Sequence, residues 1–277
     1  MKILDGNSLS RKLRSDLSIE VAKIAVKSNR PHLCILRVGE DINSITYMKY
    51  KAKAATDIGL QYSEVILPEK ISQEELIQKI IEINFNKSIT GLVVQLPLPN
   101  HIDRNEILKA ISPKKDVDGL TPANQKLLRN NEEGIKPCTP QGIITLLENY
   151  DIDVKGMNAV VLGRSIIVGE PMRIMLEEKG ANVTVCHSQT KDISIHTKKA
   201  DLIVSATGIK NLIKEDMVKD GVIIVDVGIT KENGKIFGDV DFENVSKKAS
   251  YITPNPGGVG PMTVTTLLKN VIELTSN

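Results

Sequence analysis

Apolar residues recur at Leu9, Leu13, Leu17, Val21 and Ile24. The spacing of four, four, four and three keeps them on one side of a 3.6-residue turn and predicts an amphipathic helix over residues 8–28. Asn7 or Ser8 is the expected cap for its free N–H groups. The period then changes. Residues 32–38 form a largely apolar run ended by Gly39, which predicts a buried strand. Residues 43–58 return to helical spacing and stop at Gly59, and residues 62–67 predict a strand stopped by Pro68. Ser72 with Glu75 three positions on forms a capping box that opens a helix running towards Asn84. Residues 91–96 predict another buried strand, closed by Pro97 and Pro99. Strands alternating with helices imply a parallel sheet with helical crossovers.

Pro113, Gly119, Pro122, Gly134, Pro137 and Pro140 crowd residues 112–142, and this breaker-rich stretch predicts the seam between two domains. A second alternation follows. A strand over 159–162 leads through a glycine loop into a helix over 171–179, with Pro171 in its first turn and Gly180 ending it. Further strands are expected at 183–186, 202–205 and 222–226, with a short one at 250–252; a repeat of about twenty residues suits a nucleotide-binding α/β unit. Lys231-Glu-Asn-Gly-Lys235 places Asn-Gly in a hairpin turn. Residues 254–261 read as a loop and 262–274 as a closing helix. The expected fold is therefore α/β: two α/β domains, the second a Rossmann-like parallel sheet, with a cleft between them.

Composition narrows the function classes. The 277 residues give room for two domains. Aromatics make up 3 % with no Trp, so Ile, Leu and Val must fill the cores. A net charge of +2 without any Lys/Arg run argues against nucleic acid as a partner. Cys34, Cys138 and Cys186 lie far apart and form no CxxC pair, so reduced thiols are expected in place of a disulfide framework or zinc site. His32, His101, His187 and His196 show no HxxxH spacing, and no metal is expected. Without a signal-type apolar segment or a membrane-length run, the expected setting is cytoplasmic, with no membrane partner.

Two sets of residues suggest chemistry. The strand at 159–162 runs into Gly163-Arg-Ser-Ile-Ile-Val-Gly169-Glu-Pro171. A glycine after a strand lets the backbone turn tightly beneath a pyrophosphate, and the following helix offers free N–H groups. The spacing is not GxGxxG, so context carries this reading more than the motif. The next strand ends Cys186-His187-Ser188-Gln189-Thr190 without the carboxylate that reads a ribose 2′-hydroxyl in NAD sites. Ser188, His187 or the forked guanidinium of Arg164 would instead suit a 2′-phosphate, which favours NADP. Ser205-Ala-Thr207-Gly208 and Asp226-Val-Gly228-Ile229 follow further strands and should line the same crevice.

In the first half, Tyr47 and Lys51 stand four apart and share a helix face. Amphipathic helices produce such a pair by chance, and a solvated lysine is its ordinary meaning. Gln95 inside an apolar strand needs hydrogen-bond partners. Asp116 and Asp118 sit on the seam loop, where Asp116 reads as a solvated turn residue. Rigid and glycine-rich segments, Pro137-Cys-Thr-Pro140 and Pro256-Gly-Gly-Val-Gly-Pro261, complete the set.

Together these motifs resemble the bifunctional methylenetetrahydrofolate dehydrogenase/methenyltetrahydrofolate cyclohydrolase family, almost from end to end. The likeness rests on Ile3-Leu-Asp-Gly6, Val38-Gly39 with Ser44, Tyr47 and Lys51, Gln95-Leu-Pro-Leu-Pro99 and Lys115-Asp-Val-Asp-Gly119. It continues through Pro137-Cys-Thr-Pro140, Gly163-Arg-Ser165 with Val168-Gly169 and Pro171, and Pro256-Gly-Gly-Val-Gly-Pro-Met-Thr263. The resemblance implies oxidation of 5,10-methylenetetrahydrofolate with NADP, then hydrolysis of the methenyl product to 10-formyltetrahydrofolate. It implies Lys51 as the general acid/base, Tyr47 against the folate, Gln95 as the lysine's partner and Asp118 as the reader of the pterin. Ser44, Leu96 and Pro97 join the substrate positions, with Gly257, Gly258 and Pro261 as the loop that closes the site. Gly163, Arg164, Ser165, Ser188, Thr207, Gly208, Gly228 and Ile229 match cofactor contacts. The implied domains are residues 1–138 for folate, completed by the helix at 262–277, and residues 139–261 for NADP. A homodimer is implied as well.

Three positions depart from the family pattern. Ile166 and Glu170 stand where many relatives carry polar or basic residues, and Asn255 replaces a commonly apolar one. Glu170 adds negative charge near the phosphate loop. The residues alone leave open a dehydrogenase-only member, a two-domain dehydrogenase of another small substrate, or a nucleotide sensor that lacks turnover.

Overall fold

The computed structural model describes residues 1–27, 30–232 and 234–275. Ser28 at the end of the first expected helix, Asn233 of the Asn-Gly turn, and Ser276 and Asn277 of the expected 262–277 segment lie outside the described residues. The chain divides into two compact units, one of Lys12–Lys136 with Val264–Asn277 and the other of Met1–Arg11 with Pro137–Thr263.

The first unit is built on three parallel strands, with His32–Val38 between Gln61–Leu67 and Gly91–Val94. Register runs from His32↔Gln61 to Val38↔Leu67 on one side and from Leu33↔Gly91 to Leu36↔Val94 on the other. The central position explains the largely apolar run, because central strands of parallel sheets are covered on both faces. Leu33, Ile35 and Leu36 are fully buried. The helix Ile42–Asp57 starts one residue before expectation because Asp41 caps it, accepting from the Ser44 N–H at 2.7 Å. Gly59, at φ +87°, lets the chain leave that helix. The helix Gln73–Phe85 carries the expected capping box: Ser72 accepts from the Glu75 N–H, and Glu75 accepts from the Ser72 N–H at 2.9 Å.

Other bounds differ. The first helix is Gly6–Lys27, and its cap is Asp5, not Asn7 or Ser8. The Asp5 carboxylate accepts from the Ser8 N–H at 3.0 Å and from Ser8 Oγ at 2.6 Å, and these bonds hold its pKa below the usual carboxylate range. The breaker-rich seam contains helices at Pro122–Arg129 and Cys138–Asn149. Pro122 and Pro140 sit in first turns, where a missing N–H costs no helical bond. These prolines mark helix starts as well as loop.

The second unit holds a six-stranded sheet in the order Lys2–Ile3, Tyr251–Ile252, Ile223–Asp226, Leu202–Ser205, Asn158–Leu162, Asn182–Cys186, with every pair parallel. The strand Lys2–Ile3, absent from the expected pattern, explains why Met1–Arg11 groups here and not with the residues that follow it. Lys2 N–H donates to Ser250 O at 2.7 Å, and Leu4 N–H to Ile252 O at 2.9 Å. Aliphatic side chains such as Val160, Leu162, Ile203, Ile224 and Ile252 form the core. An antiparallel pair, Thr230–Glu232 with Lys235–Phe237, flanks the expected hairpin turn. The last helix is Val259–Glu273, so Val259, Gly260 and Pro261, expected as loop, form its first turn. The three cysteines are buried and free. Among the described residues no helix is long and apolar enough to cross a membrane, and no cluster of His, Cys, Asp or Glu fit to hold a metal occurs.

Candidate functional site

In the three-stranded unit, helix spacing and a strand end bring Tyr47, Lys51 and Gln95 together. Lys51 is only 5 % exposed, so it is not a solvated helix-face lysine. Its Nζ donates to Gln95 Oε1 at 3.2 Å and lies 4.9 Å from the centroid of the Tyr47 ring. It makes no ion pair among the described residues. A buried lysine whose partners are a neutral amide and a π face is costly in a purely structural role. Gln95 follows the strand Gly91–Val94, which ends two residues before the expected Leu96. Its N–H donates to Leu36 O at 2.8 Å and its Nε2 to Leu96 O at 2.7 Å. The side-chain oxygen is thus turned to the lysine, and the Leu96–Pro97 peptide is cis immediately beyond. Ser44, on the first turn of the lysine's helix, has a buried Oγ with no hydrogen-bond partner in the protein. Such an orphan calls for a ligand or water.

Asp116 corrects an expectation. It is 2 % exposed, not a solvated turn residue. Its carboxylate accepts from the Leu120 and Thr121 N–H groups at 3.2 and 2.7 Å and from Asn124 Nδ2 at 2.9 Å. It therefore knots the loop that presents Asp118, which is half-buried. Asn270 on the closing helix fixes the same loop by donating to Val117 O at 2.8 Å. The sequence signal was the Thr121-Pro-Ala-Asn124 cap that follows the aspartates.

In the six-stranded unit the chain leaves Asn158–Leu162 for a strand on one side and returns to Leu202–Ser205 on the other. That is a topological switch point, where open α/β sheets bind ligands. A cavity of about 570 Å³ opens there, and Gly163, Arg164, Ser165, His187, Ser188 and Thr207 all line it. Gly163 has φ +111°, and a Cβ on it would stand 2.7 Å from Ala206 O; a Cβ on Gly169 would stand 2.2 Å from Gly163 O. The loop thus folds flat between strand and helix, and the helix Gly169–Glu178 starts directly behind it. Ser165 Oγ accepts from the Val168 N–H at 3.2 Å and closes the loop on itself. His187 Nδ1 accepts from the Gln189 N–H at 3.2 Å, which leaves the proton on Nε2 as a donor. The fit to an anionic dinucleotide is therefore good.

Gly208, Gly228 and Ile229 are not among the residues lining that cavity. Lys191, Asp192, Ile193, Leu212 and Met217 are, and sequence reasoning missed them. Asp192 accepts from the Ser194 N–H at 2.9 Å, and the Ser194 hydroxyl and backbone bonds lower its pKa. The apolar members lie on irregular segments without a period to reveal them.

Two departures acquire partners. Asn255 Nδ2 donates to Gly228 O, tying the Pro-Gly-Gly loop to the strand end. Glu170 occupies the first turn of its helix, where the dipole favours an acid. Gly257 and Gly258 pack against the first motif of the chain. Asn7 N–H donates to Gly257 O at 3.0 Å, and a Cβ on Gly6 would stand 1.8 Å from Gly258 O.

Comparison with known proteins gives a consistent result. Residues 4–118 match the profile of the tetrahydrofolate dehydrogenase/cyclohydrolase catalytic domain, and residues 137–277 that of its NAD(P)-binding domain. The chain is 50 % identical to the bifunctional protein FolD of Aquifex aeolicus over 98 % of its own length and 94 % of that protein. The crystal structure of the bifunctional FolD methylenetetrahydrofolate dehydrogenase/cyclohydrolase from Campylobacter jejuni matches at a TM-score of 0.98 and 49 % identity, covering 100 % of this chain and 99 % of that one. The Trypanosoma brucei methylenetetrahydrofolate dehydrogenase-cyclohydrolase, solved with NADP and an inhibitor, matches at 0.95 and 38 % identity over 99 % and 97 %.

Proposed function

Because the chain belongs to the tetrahydrofolate dehydrogenase/cyclohydrolase family, we propose that it oxidises 5,10-methylenetetrahydrofolate with NADP and hydrolyses the methenyl product to 10-formyltetrahydrofolate. NADP supplies a hydride acceptor at nicotinamide C4. Gly163, Arg164, Ser165 and Ser188 hold it by backbone, guanidinium and hydroxyl donors, and Arg164 suits the 2′-phosphate. The protein's share of the first step is positioning, since the donor and acceptor carbons must meet at about 3–3.5 Å.

The second step draws on the lysine's surroundings. The methenyl carbon is cationic and is attacked by water. Lys51 takes a proton from the attacking water and returns it to N5 as the C–N5 bond breaks, while the remaining hydroxyl proton is released to solvent as the formyl C=O forms on N10. Gln95 Oε1 orients the lysine Nζ at 3.2 Å. The Tyr47 face borders the same group, and Ser44, Leu96 and Pro97 lie beside it in sequence or on its helix. Asp118 accepts from the donor-rich edge of the pterin by charge-assisted hydrogen bonds. Gly257, Gly258 and Pro261 match the family's substrate-loop positions. By role, folate falls to the three-stranded unit, Lys12–Lys136 with Val264–Asn277, and NADP to the six-stranded unit, Met1–Arg11 with Pro137–Thr263.

The observation that carries this reading is the buried Lys51–Gln95 pair inside the segment that matches the catalytic domain. The test follows NADPH formation and methenyl turnover together, with methylenetetrahydrofolate and either NADP or NAD. Wild type should yield both products with NADP. Lys51→Met should lower cyclohydrolase turnover by roughly 10²–10⁴-fold while NADP binding survives. Equal cyclohydrolase rates in mutant and wild type would remove Lys51 from the mechanism.

The chain also acts as a homodimer in the cytoplasm on this reading. The family resemblance supports the dimer, and the free buried thiols suit a reducing compartment. Light scattering at twice the 30.4 kDa chain mass checks the first point.

A further inference from the structure

Asp239 is fully buried, and no step above uses it. Its Oδ2 accepts from Ser205 Oγ at 2.8 Å, from the Thr207 N–H at 2.7 Å and from Thr207 Oγ1 at 2.9 Å. All three donors belong to one short segment, which follows a central strand and lines the dinucleotide cavity through Ala206 and Thr207. The other oxygen, Oδ1, has no hydrogen-bond partner in the protein. It packs where a side chain on Gly228 would start, since a Cβ there would lie 1.9 Å away. One carboxylate therefore sets two loops at the ends of adjacent strands. Asp239 is itself fixed through its backbone, because its N–H and that of Gly228 donate to Asp226 Oδ1 at 2.9 and 3.0 Å.

We propose that Asp239 is a positioning residue for the dehydrogenase reaction, whose buried carboxylate holds the segments bearing Thr207, Gly208 and Gly228 in place for the dinucleotide. The proposal rests on the reading of that cavity as the NADP site. A residue needed only for folding would have its bonds spread over the core. Here they converge on the loop that meets the ligand, and the carboxylate also dictates glycine at position 228.

The test compares wild type, Asp239→Asn and Ser205→Ala in three measurements: dehydrogenase kinetics with varied NADP, dehydrogenase kinetics with varied folate, and cyclohydrolase turnover of supplied methenyltetrahydrofolate without NADP. Asn keeps the shape of the side chain but replaces a charged acceptor by a neutral one and sets an NH2 group against Gly228. Asp239→Asn should raise the KM for NADP by about tenfold or more, the ratio expected when a buried charge-assisted bond is weakened. The KM for folate and the cyclohydrolase rate should stay within about twofold of wild type, and Ser205→Ala should show the same split at smaller size. An unchanged KM for NADP in both variants overturns the proposal. A parallel fall of both activities with a lowered Tm overturns it too, since that is the mark of a purely structural residue. If Asp239→Asn does not fold, Ser205→Ala decides alone on the same criterion. Failure of the wild type to reduce NADP would sink the functional reading instead, and the control separates the two.

Discussion

At the scale of single residues, what distinguishes this chain is ionisable side chains placed in the interior on neutral hydrogen-bond partners. Lys51 meets an amide, and Asp116 meets backbone and amide donors. Asp226 is 5 % exposed and accepts from the Gly228, Asp239 and Val240 N–H groups. Burial nevertheless pushes its pKa up to about 6, with the neighbouring Asp239 charge acting in the same direction against those bonds. A carboxyl whose folded pKa lies above its unfolded value of 3.8 favours the folded state below pH 3.8, and that contribution is lost as pH rises towards 6. Measured against Asp226→Asn, wild type should therefore lose about 2 kcal/mol of stability between pH 3.8 and 6 and little further above pH 7. Urea unfolding of both proteins across that range checks the sign. A wild type that gains on the variant as pH rises would contradict it.

At the scale of elements, local signals were legible wherever one residue closes a hydrogen-bonded ring nearby. The capping box at Ser72 and Glu75 is the clearest case, and Ser72→Ala should cost about 1 kcal/mol in urea denaturation, with Glu75→Ala adding little in the double variant. The strands were legible because buried parallel strands read as apolar runs, and His32–Val38 and Leu202–Ser205 have the expected bounds. Prolines misled. Pro122 and Pro140 read as loop markers, yet both open helices, because one residue type serves both uses. The site was legible in part for a similar reason. Tyr47 and Lys51 share a helix face by spacing alone, whereas the depth of Asp116 depends on Asn124 and on a neighbouring strand. Ile193, Leu212 and Met217 reach the cavity from irregular backbone, and no period betrays that.

At the scale of the whole molecule, neither unit is a continuous stretch of sequence. The sheet of one is completed by Lys2–Ile3, and the helix that fixes the Asp118 loop of the other comes from Val264 onward. Cutting between Lys136 and Pro137 should therefore not release two folded halves. A fragment of residues 1–136 lacks Asn270, which holds Val117 O, and should lack a cooperative thermal transition; co-expression with residues 137–277 should restore one. A sharp two-state melt of the isolated fragment would refute this.

The pairing of Ile3 with Ile252 also bears on how the protein is made. A ribosome adds about 5–20 residues per second, so the opening strand must wait many seconds for its neighbour to be synthesised. Until then the Lys2–Ile3 segment has no sheet to join. The six-stranded sheet should accordingly be completed only after residues 251–252 are made, and a chain truncated before them should leave Lys2–Ile3 unpaired.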